Sequence, residues 1–117
     1  MVGFSQTELA QKKCQACDSD LPSLTAGEAA LFLVAVPGWA LTTDGLRIRR
    51  EWKMSEFTSA MKFLDRVAAL AEVEGHHPDF HLTNYRNLSI EIWTHAVGGL
   101  TENDFILAAK INSLTAQ

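Results

Sequence analysis

The sequence lacks several features that would assign it to a function class at once. Its longest apolar run extends only from Ala29 to Val36, well short of the roughly 20 residues that a membrane-spanning helix needs. Its 10 basic residues are outnumbered by 14 acidic ones, so the net charge is −4 and no basic surface is expected to neutralise phosphates. Internal repeats and low-complexity tracts are absent. We therefore expect neither a membrane nor a nucleic acid as a partner.

Cysteine is also scarce, because Cys14 and Cys17 are the only two and form a single Cys-x-x-Cys. A structural zinc site needs four ligands, and no second pair supplies the other two. A thioredoxin-like motif lies between a strand and a helix, and neither is evident around these cysteines. We interpret them as two reduced thiols on a surface segment. A metal shared between subunits and a redox role remain as alternatives.

The length of 117 residues is enough for one compact domain with its own core. Apolar residues make up 47% and charged residues 21%, as in ordinary globular proteins. Residues 1–22 are polar and poorly periodic, which predicts a flexible or loosely docked leader that is dispensable for catalysis, before a single domain at 23–117. The N-terminus shows no basic segment followed by an apolar one, so we expect a cytoplasmic protein.

Two helices are predicted from capping residues and apolar spacing. Thr25 and Glu28 form a capping box that begins a short helix, which continues to about Ala35. Ser55 is placed to cap a longer helix whose apolar residues recur every three to four positions. Gly75 then offers a left-handed C-terminal cap.

Strand patterns lie between and after these helices. Residues 39–43 and 46–52 read as a hairpin joined by Asp44-Gly45, the dipeptide that the favoured two-residue turn prefers. An extended piece reaches about Tyr85, and residues 87–95 alternate as a strong strand.

The element order is α-ββ-α-ββ-α, because a last helix follows from Thr101. This order predicts the α+β class, with a two-layer fold in which a four-stranded antiparallel sheet has its helices packed on one face. Trp93 falls on the other face of the sheet, so we expect that surface to form a contact between subunits.

Five polar residues stand out within 33 positions: Glu72, His76, His77, His95 and Asp104. Imidazole titrates near neutral pH, so histidines are suited to giving and taking protons. Three histidines in so short a stretch indicate acid–base chemistry on a small organic substrate.

Each of these residues also has a purely structural interpretation. His76 and His77 follow a helix C-terminus, whose last carbonyls they can cap. His95 alone on a strand is more often structural, and Glu72 alone would be a solvated helix residue. Asp104, the fourth residue of a Thr-x-x-Asp capping box, can complete that cap and also hold a histidine. A metal site is a weaker alternative, since adjacent histidines diverge and the usual helical spacing is absent.

Taken together, the spacing is that of a known family. From Glu72 the chain reads Glu-x3-His-His-Pro, followed by six residues to Tyr85, nine to His95 and eight to Asp104. This pattern resembles the pterin-4a-carbinolamine dehydratases, and every motif position is occupied. The passages 93–95 and 99–104 extend the match, so the resemblance covers about residues 25–114.

The resemblance implies a reaction. Members of this family dehydrate 4a-hydroxytetrahydrobiopterin, the product left by aromatic amino-acid hydroxylases, to quinonoid dihydropterin, a step of tetrahydropterin recycling. Neither metal nor organic cofactor is needed, because the lone pair of a substrate nitrogen expels the hydroxyl group. The resemblance also implies a homodimer or homotetramer and a functional link to such a hydroxylase.

The resemblance assigns residues too. His76, His77 and His95 would line the pterin pocket and carry the proton transfers as catalytic residues. The implied substrate-binding set is Glu72, His76, His77, Pro78, Thr94, His95, Ala96, Val97 and Asp104, with no metal ligand. The main alternative is a non-enzymatic assembly or dimerisation factor on the same fold, which would have no need of all three histidines. A metal-dependent hydrolase is a further alternative.

Overall fold

Four antiparallel strands form the sheet that the alternating patterns predict. They are β1 (Ala40–Leu41), β2 (Ile48–Lys53), β3 (Asp79–Thr83) and β4 (Asn87–Ile92), in the spatial order β1-β2-β4-β3. The computed structural model describes residues 5–16 and 21–114. In its register, Ile48 lies opposite Ile92 on the central strands β2 and β4. The core-facing residues of β4 are almost inaccessible to solvent, as the alternation requires.

Four helices and one short helical turn complete the described chain. The helices are α1 (Gln6–Gln11), α2 (Ala26–Ala35), α3 (Phe57–Glu74) and α4 (Glu102–Asn112), and the turn is a 3₁₀ helix at His95–Val97. Side chains of all four helices join the apolar face of the sheet in one core. The predicted α+β architecture is confirmed, with α1 as an additional helix at the N-terminal end. None of the helices in the described ranges is long and apolar enough to cross a membrane.

The capping box that begins α2, the glycine cap that ends α3 and a turn at Gly45 are confirmed. The Thr25 amide donates to Glu28 Oε1 at 2.8 Å and the Glu28 amide donates to Thr25 Oγ1 at 3.2 Å, which completes the capping box of α2. Gly45 has a φ of 73° in the β1–β2 turn, and Gly75 has a φ of 66° at the end of α3. Both are left-handed conformations that glycine adopts without steric cost.

Several predicted boundaries are wrong. The hairpin strands were predicted at 39–43 and 46–52, but β1 is Ala40–Leu41 and β2 is Ile48–Lys53, so their connection is longer than the two-residue turn that Asp44-Gly45 predicts. Helix α3 has Glu56 as its N-cap without a side-chain cap, while the Ser55 hydroxyl contacts that of Ser59 at 2.9 Å. The last strand ends at Ile92, so His95 lies in the 3₁₀ turn instead of closing a strand. The reason is a short loop in which the Thr94 amide donates to the Gly99 carbonyl at 2.8 Å. This hydrogen bond turns the chain back, so His95 does not continue the backbone pairing of β4.

The open face of the sheet is charged, not apolar. Glu91 accepts from Arg47 at 3.1 Å and from Arg49 at 2.9 Å, and Arg49 also pairs with Glu51 at 2.8 Å. Burial would raise the pKa of Glu91, but hydrogen bonds from Arg49 and Arg47 lower it below its ordinary value. Trp93, which suggested an apolar contact surface, is half-buried at the edge of this face beneath the Arg47 guanidinium.

Residues 5–16 contain a helix that the apolar spacing of the sequence does not predict. The sequence predicts a flexible or loosely docked leader over 1–22. Within it, residues 6–11 form α1, whose Leu9 is only 1% exposed within the core. Ser5 and Glu8 form a capping box that begins this helix. Cys14 is half-buried, with its thiol 3.6 Å from the Asn103 carbonyl, whereas Cys17 lies outside the described residues. Residues 5–16 are therefore part of the folded domain, and apolar spacing missed them because α1 buries a single leucine.

Candidate active site

The predicted site residues meet where α3 ends, β4 ends and α4 begins. A surface depression of about 100 Å³ lies there, lined by Gly75, His76, His77, Trp93 and His95. Residues about 20 positions apart are thus brought together because β3 and β4 return the chain to the end of α3. The three histidines that the sequence singled out line one depression.

Gly75 sets the direction in which the two adjacent histidines point. Its left-handed conformation ends α3, and the His76 amide then donates to the Ala71 carbonyl at 3.2 Å. His76 turns inward and is 3% exposed, while the His77 side chain turns outward and is 62% exposed. The expected divergence of neighbouring histidines is therefore found.

His76 belongs to a buried hydrogen-bond network. Its Nε2 lies 2.6 Å from Asp104 Oδ1, and the Asp104 side chain is completely buried. The second oxygen, Asp104 Oδ2, accepts from the Thr94 hydroxyl at 3.0 Å and from the Thr101 amide at 2.8 Å. Asp104 thus both caps α4 and holds a histidine, as the sequence suggested.

His77 has a more exposed carboxylate partner. Its Nε2 lies 2.5 Å from Glu72 Oε2, one turn back along α3, and the Glu72 side chain is 76% exposed. This contact is local, because both residues belong to the same helix end. It orients the imidazole but leaves it open to water and to a ligand.

His95 packs against an aromatic ring that also lines the depression. Its ring centroid lies 4.3 Å from that of Trp93, and the Arg47 guanidinium lies 4.6 Å from the Trp93 ring centroid. The Trp93 indole N–H donates to Asp79 Oδ2 at 3.3 Å, which fixes the ring in place. The sequence predicts a contact between subunits at Trp93, although the alternation of the strand puts Trp93 on the same face as His95.

The other predicted site residues do not line this depression. Thr94 and Asp104 are buried behind His76, where they belong to its network. Pro78 follows the histidine pair, and Ala96 and Val97 occupy the 3₁₀ turn beyond His95. The Glu72 side chain contacts His77, which lines the depression.

This arrangement is suited to proton transfer. Two exposed imidazoles, His77 and His95, line the depression together with His76, which a buried carboxylate holds. Imidazoles fixed in this way can act as general acids and bases. Within residues 5–16 and 21–114, no three histidine, cysteine, aspartate or glutamate side chains are gathered as metal ligands.

The chain is similar to known proteins of one family. Residues 22–114 match the protein family described as pterin 4 alpha carbinolamine dehydratase. The chain is 51% identical over 116 residues to an Arabidopsis thaliana protein named pterin-4-alpha-carbinolamine dehydratase 2, mitochondrial. That match covers 97% of this chain and 62% of the Arabidopsis protein, so the chain spans less than two thirds of that relative. A Halorhodospira halophila relative is 43% identical, over 92% of this chain and 98% of its own length.

A solved structure is also similar. It is the crystal structure of a transcriptional coactivator/pterin dehydratase from Brucella melitensis, with a TM-score of 0.74 and 32% sequence identity. The similarity covers 79% of this chain and 97% of the Brucella chain.

Proposed function

The chain belongs to the pterin 4 alpha carbinolamine dehydratase family, and we propose that it dehydrates a pterin-4a-carbinolamine, 4a-hydroxytetrahydrobiopterin or a close relative. The product would be quinonoid dihydropterin, so the reaction would serve tetrahydropterin recycling. The observation that supports this most directly is the set of three histidines around one depression, two of them paired with carboxylates.

The reaction needs an acid at one atom of the substrate and a base at another. Loss of the 4a-hydroxyl group requires a proton on the leaving oxygen, and the N5 proton must be removed while the nitrogen lone pair expels the hydroxyl. His77 and His95 are exposed at the depression, so they are the side chains we assign to direct contact with substrate. His76 shares the proton-transfer role from its buried position, with Asp104 as its partner.

The remaining predicted residues would support binding. Glu72 would orient His77 through their 2.5 Å contact. Backbone polar groups of residues 94–97, which follow Trp93 in the chain, would contact the pterin ring, as the family resemblance implies. Pro78 would fix the connection after His77 because the residue before proline is confined to extended conformations.

A stopped-flow assay of 4a-carbinolamine decay tests this function. The protein, treated with a chelator, should accelerate the decay well above the uncatalysed rate. His77→Ala and His95→Ala should each lower kcat/KM by about two orders of magnitude, because a positioned acid or base contributes roughly 10²–10⁴-fold. The double variant should lose less than the product of the two, since both act in one step.

The fourth histidine is a matched control for this assay. His81 is exposed on β3 and does not line the depression, so His81→Ala should keep the wild-type rate. Full activity of both His77→Ala and His95→Ala would contradict the proposal and favour a binding role on the same fold. Activity lost on chelation and restored by zinc would contradict a reaction that needs no cofactor.

We also propose that the chain works as a homodimer or homotetramer, and in company with an aromatic amino-acid hydroxylase that supplies its substrate. Exposed apolar side chains on the outer face of α3 support self-association, because Phe57 is 52%, Met61 41% and Val73 68% exposed. Light scattering that gives a mass of 12.9 kDa, that of one chain, would contradict the oligomer.

For the cellular compartment, we keep the cytoplasm as the proposal. The name of the Arabidopsis relative places that protein in mitochondria. Imaging of the full chain fused at its C-terminus to a fluorescent protein distinguishes the two locations.

A further inference from the structure

The described N-terminal residues are bound to the two elements that carry the buried His76–Asp104 pair. We call residues 12–15 the N-terminal strap. Its contacts reach Asn103, which immediately precedes Asp104, and Glu74, which precedes Gly75 and His76. None of the strap residues lines the histidine depression.

The Asn103 side chain binds the N-terminal strap at the first turn of α4. Its Oδ1 accepts from the Gln15 amide at 2.9 Å and its Nδ2 donates to the Gln15 carbonyl at 2.9 Å. The Asn103 side chain thus pairs with both backbone groups of one residue, as a neighbouring strand would. Asn103 itself is only 2% exposed, whereas Gln15 is exposed, so the bonds are shielded from water on the Asn103 side.

The Glu74 side chain binds the N-terminal strap at the last turn of α3. Its Oε1 accepts from the Cys14 amide at 2.8 Å, and its Oε2 lies 3.7 Å from Lys110 Nζ. Lys110 in turn donates to the Ala10 carbonyl at 2.7 Å. Burial would raise the pKa of Glu74, but the Cys14 amide and the charges of Lys110 and Lys13 lower it, so the group is a carboxylate at neutral pH.

These contacts join the end of α3 to the start of α4 through a third piece of chain. His76 lies two residues after Glu74, and Asp104 lies one residue after Asn103. The distance between the two helix ends therefore sets the distance between His76 and Asp104. We propose that Asn103 and Glu74 are positioning residues, through which the N-terminal strap holds the His76–Asp104 pair for the reaction. This inference rests on the proposed function, and it opposes the expectation that residues 1–22 are dispensable for catalysis.

The proposal predicts that loss of Asn103 or Glu74 lowers kcat and leaves KM nearly unchanged. Asn103 and Glu74 are absent from the lining of the depression, so their loss should leave KM close to that of the wild type. Asn103→Ala should lower kcat at least about tenfold, because small misplacements of catalytic groups are costly. Glu74→Ala should act in the same direction, and Glu74→Gln should recover part of the loss because its amide oxygen still accepts from Cys14.

A second measurement follows the pair in the free protein, without any substrate. The Thr101 amide donates to Asp104 Oδ2, so its hydrogen exchange reports whether Asp104 is held in place. In Asn103→Ala, exchange at Thr101 should be about tenfold faster, while exchange at Ile90 in the sheet stays unchanged. Asn103→Asp, which retains the oxygen that accepts from Gln15, serves as the milder variant if Asn103→Ala does not fold.

Gln6→Ala is the matched control. Gln6 contacts Asn112 at 2.7 Å, so this substitution removes a contact between the same N-terminal region and the far end of α4. It should change neither kcat nor exchange at Thr101. Wild-type kcat in Asn103→Ala would overturn the inference, whether or not exchange at Thr101 rises. A wild-type protein without dehydratase activity would overturn the proposed function, while exchange at Thr101 would still show whether the strap holds the pair.

Discussion

Asp104 carries three contacts on two oxygens, and these contacts decide what its substitution does. Oδ2 accepts from Thr94 and Thr101, and Oδ1 contacts His76. An asparagine side chain has a single oxygen, so it can accept either from the two threonines or from His76, but not from both. Asp104→Asn should therefore lower kcat/KM at least about tenfold through the lost charge beside His76. It should also lower the free energy of unfolding by about 1–3 kcal/mol, the usual cost of an unsatisfied buried group.

Thr94→Val separates these two effects. It removes one donor to Asp104 but retains the carboxylate charge, so activity should fall less than in Asp104→Asn at a similar loss of stability. Stopped-flow kinetics and urea unfolding measure the two quantities on the same samples. Equal activity of wild type and Asp104→Asn would show that the carboxylate serves only as a helix cap.

Glu74 gives the strap a pH dependence of known sign. Its pKa is lower in the folded protein than in the unfolded chain, because the Cys14 amide and two lysines outweigh burial. The stability it contributes is present above the unfolded pKa and is lost as the pH falls through the folded pKa. Glu74→Gln should therefore flatten the acid side of a plot of Tm against pH, with little change in that slope above pH 6. Thermal unfolding from pH 3 to pH 7 measures this, and an unchanged acid slope would contradict it.

At the scale of single elements, the end of α3 depends on the conformation of Gly75. No heavy atom lies within 4 Å of a Cβ built there, so a side chain meets no clash and only the left-handed backbone conformation is costly. Gly75→Ala should lower the free energy of unfolding by about 1 kcal/mol. Gly75→Asn should cost less, because asparagine tolerates that conformation.

Gly27 in α2 provides the opposite case. It has no positive φ, and a Cβ there meets only Thr25 Oγ1 at 4.0 Å. Gly27→Ala should raise the free energy of unfolding by about 0.5–1 kcal/mol, because alanine has less freedom to lose. Urea unfolding of both variants checks the contrast, and a stabilising Gly75→Ala would contradict the assigned role of the cap.

Elements set by local chemistry were predictable from the sequence. The Thr25 capping box, the turn at Gly45 and the cap at Gly75 each depend on residues within a few positions. The end of β4 was missed because the Thr94–Gly99 bond that closes the loop leaves no periodic pattern. The inward turn of His76 was not predictable either, since its partner Asp104 lies 28 residues away and adjacent histidines look alike in sequence.

For the whole molecule, residues 5–16 are attached to the rest of the domain, with Leu9 in its core. Their contacts were invisible in the sequence because the partners lie far along the chain, 88 residues for Gln15 and Asn103 and 106 for Gln6 and Asn112. Leu9→Ala should therefore lower the free energy of unfolding by about 2–4 kcal/mol, as for a buried leucine. Leu31→Ala is the control, because that leucine is 57% exposed on α2 and should cost less than about 1 kcal/mol. Equal effects of the two in urea unfolding would show that α1 is not packed in solution.

The two histidine–carboxylate pairs span very different lengths of chain, with consequences for the order in which the site is assembled. Glu72 and His77 are five residues apart and can meet as soon as α3 forms, whereas His76 must wait until α4 has docked. During synthesis, a chain that has emerged only as far as β4 would lack Asp104 altogether. We expect the exposed His77 to be oriented early and the buried His76 last, so that the protein gains activity only with its final fold. Pulse-labelled exchange during refolding, with the Thr101 amide protected no later than the amides of β4, would contradict this order.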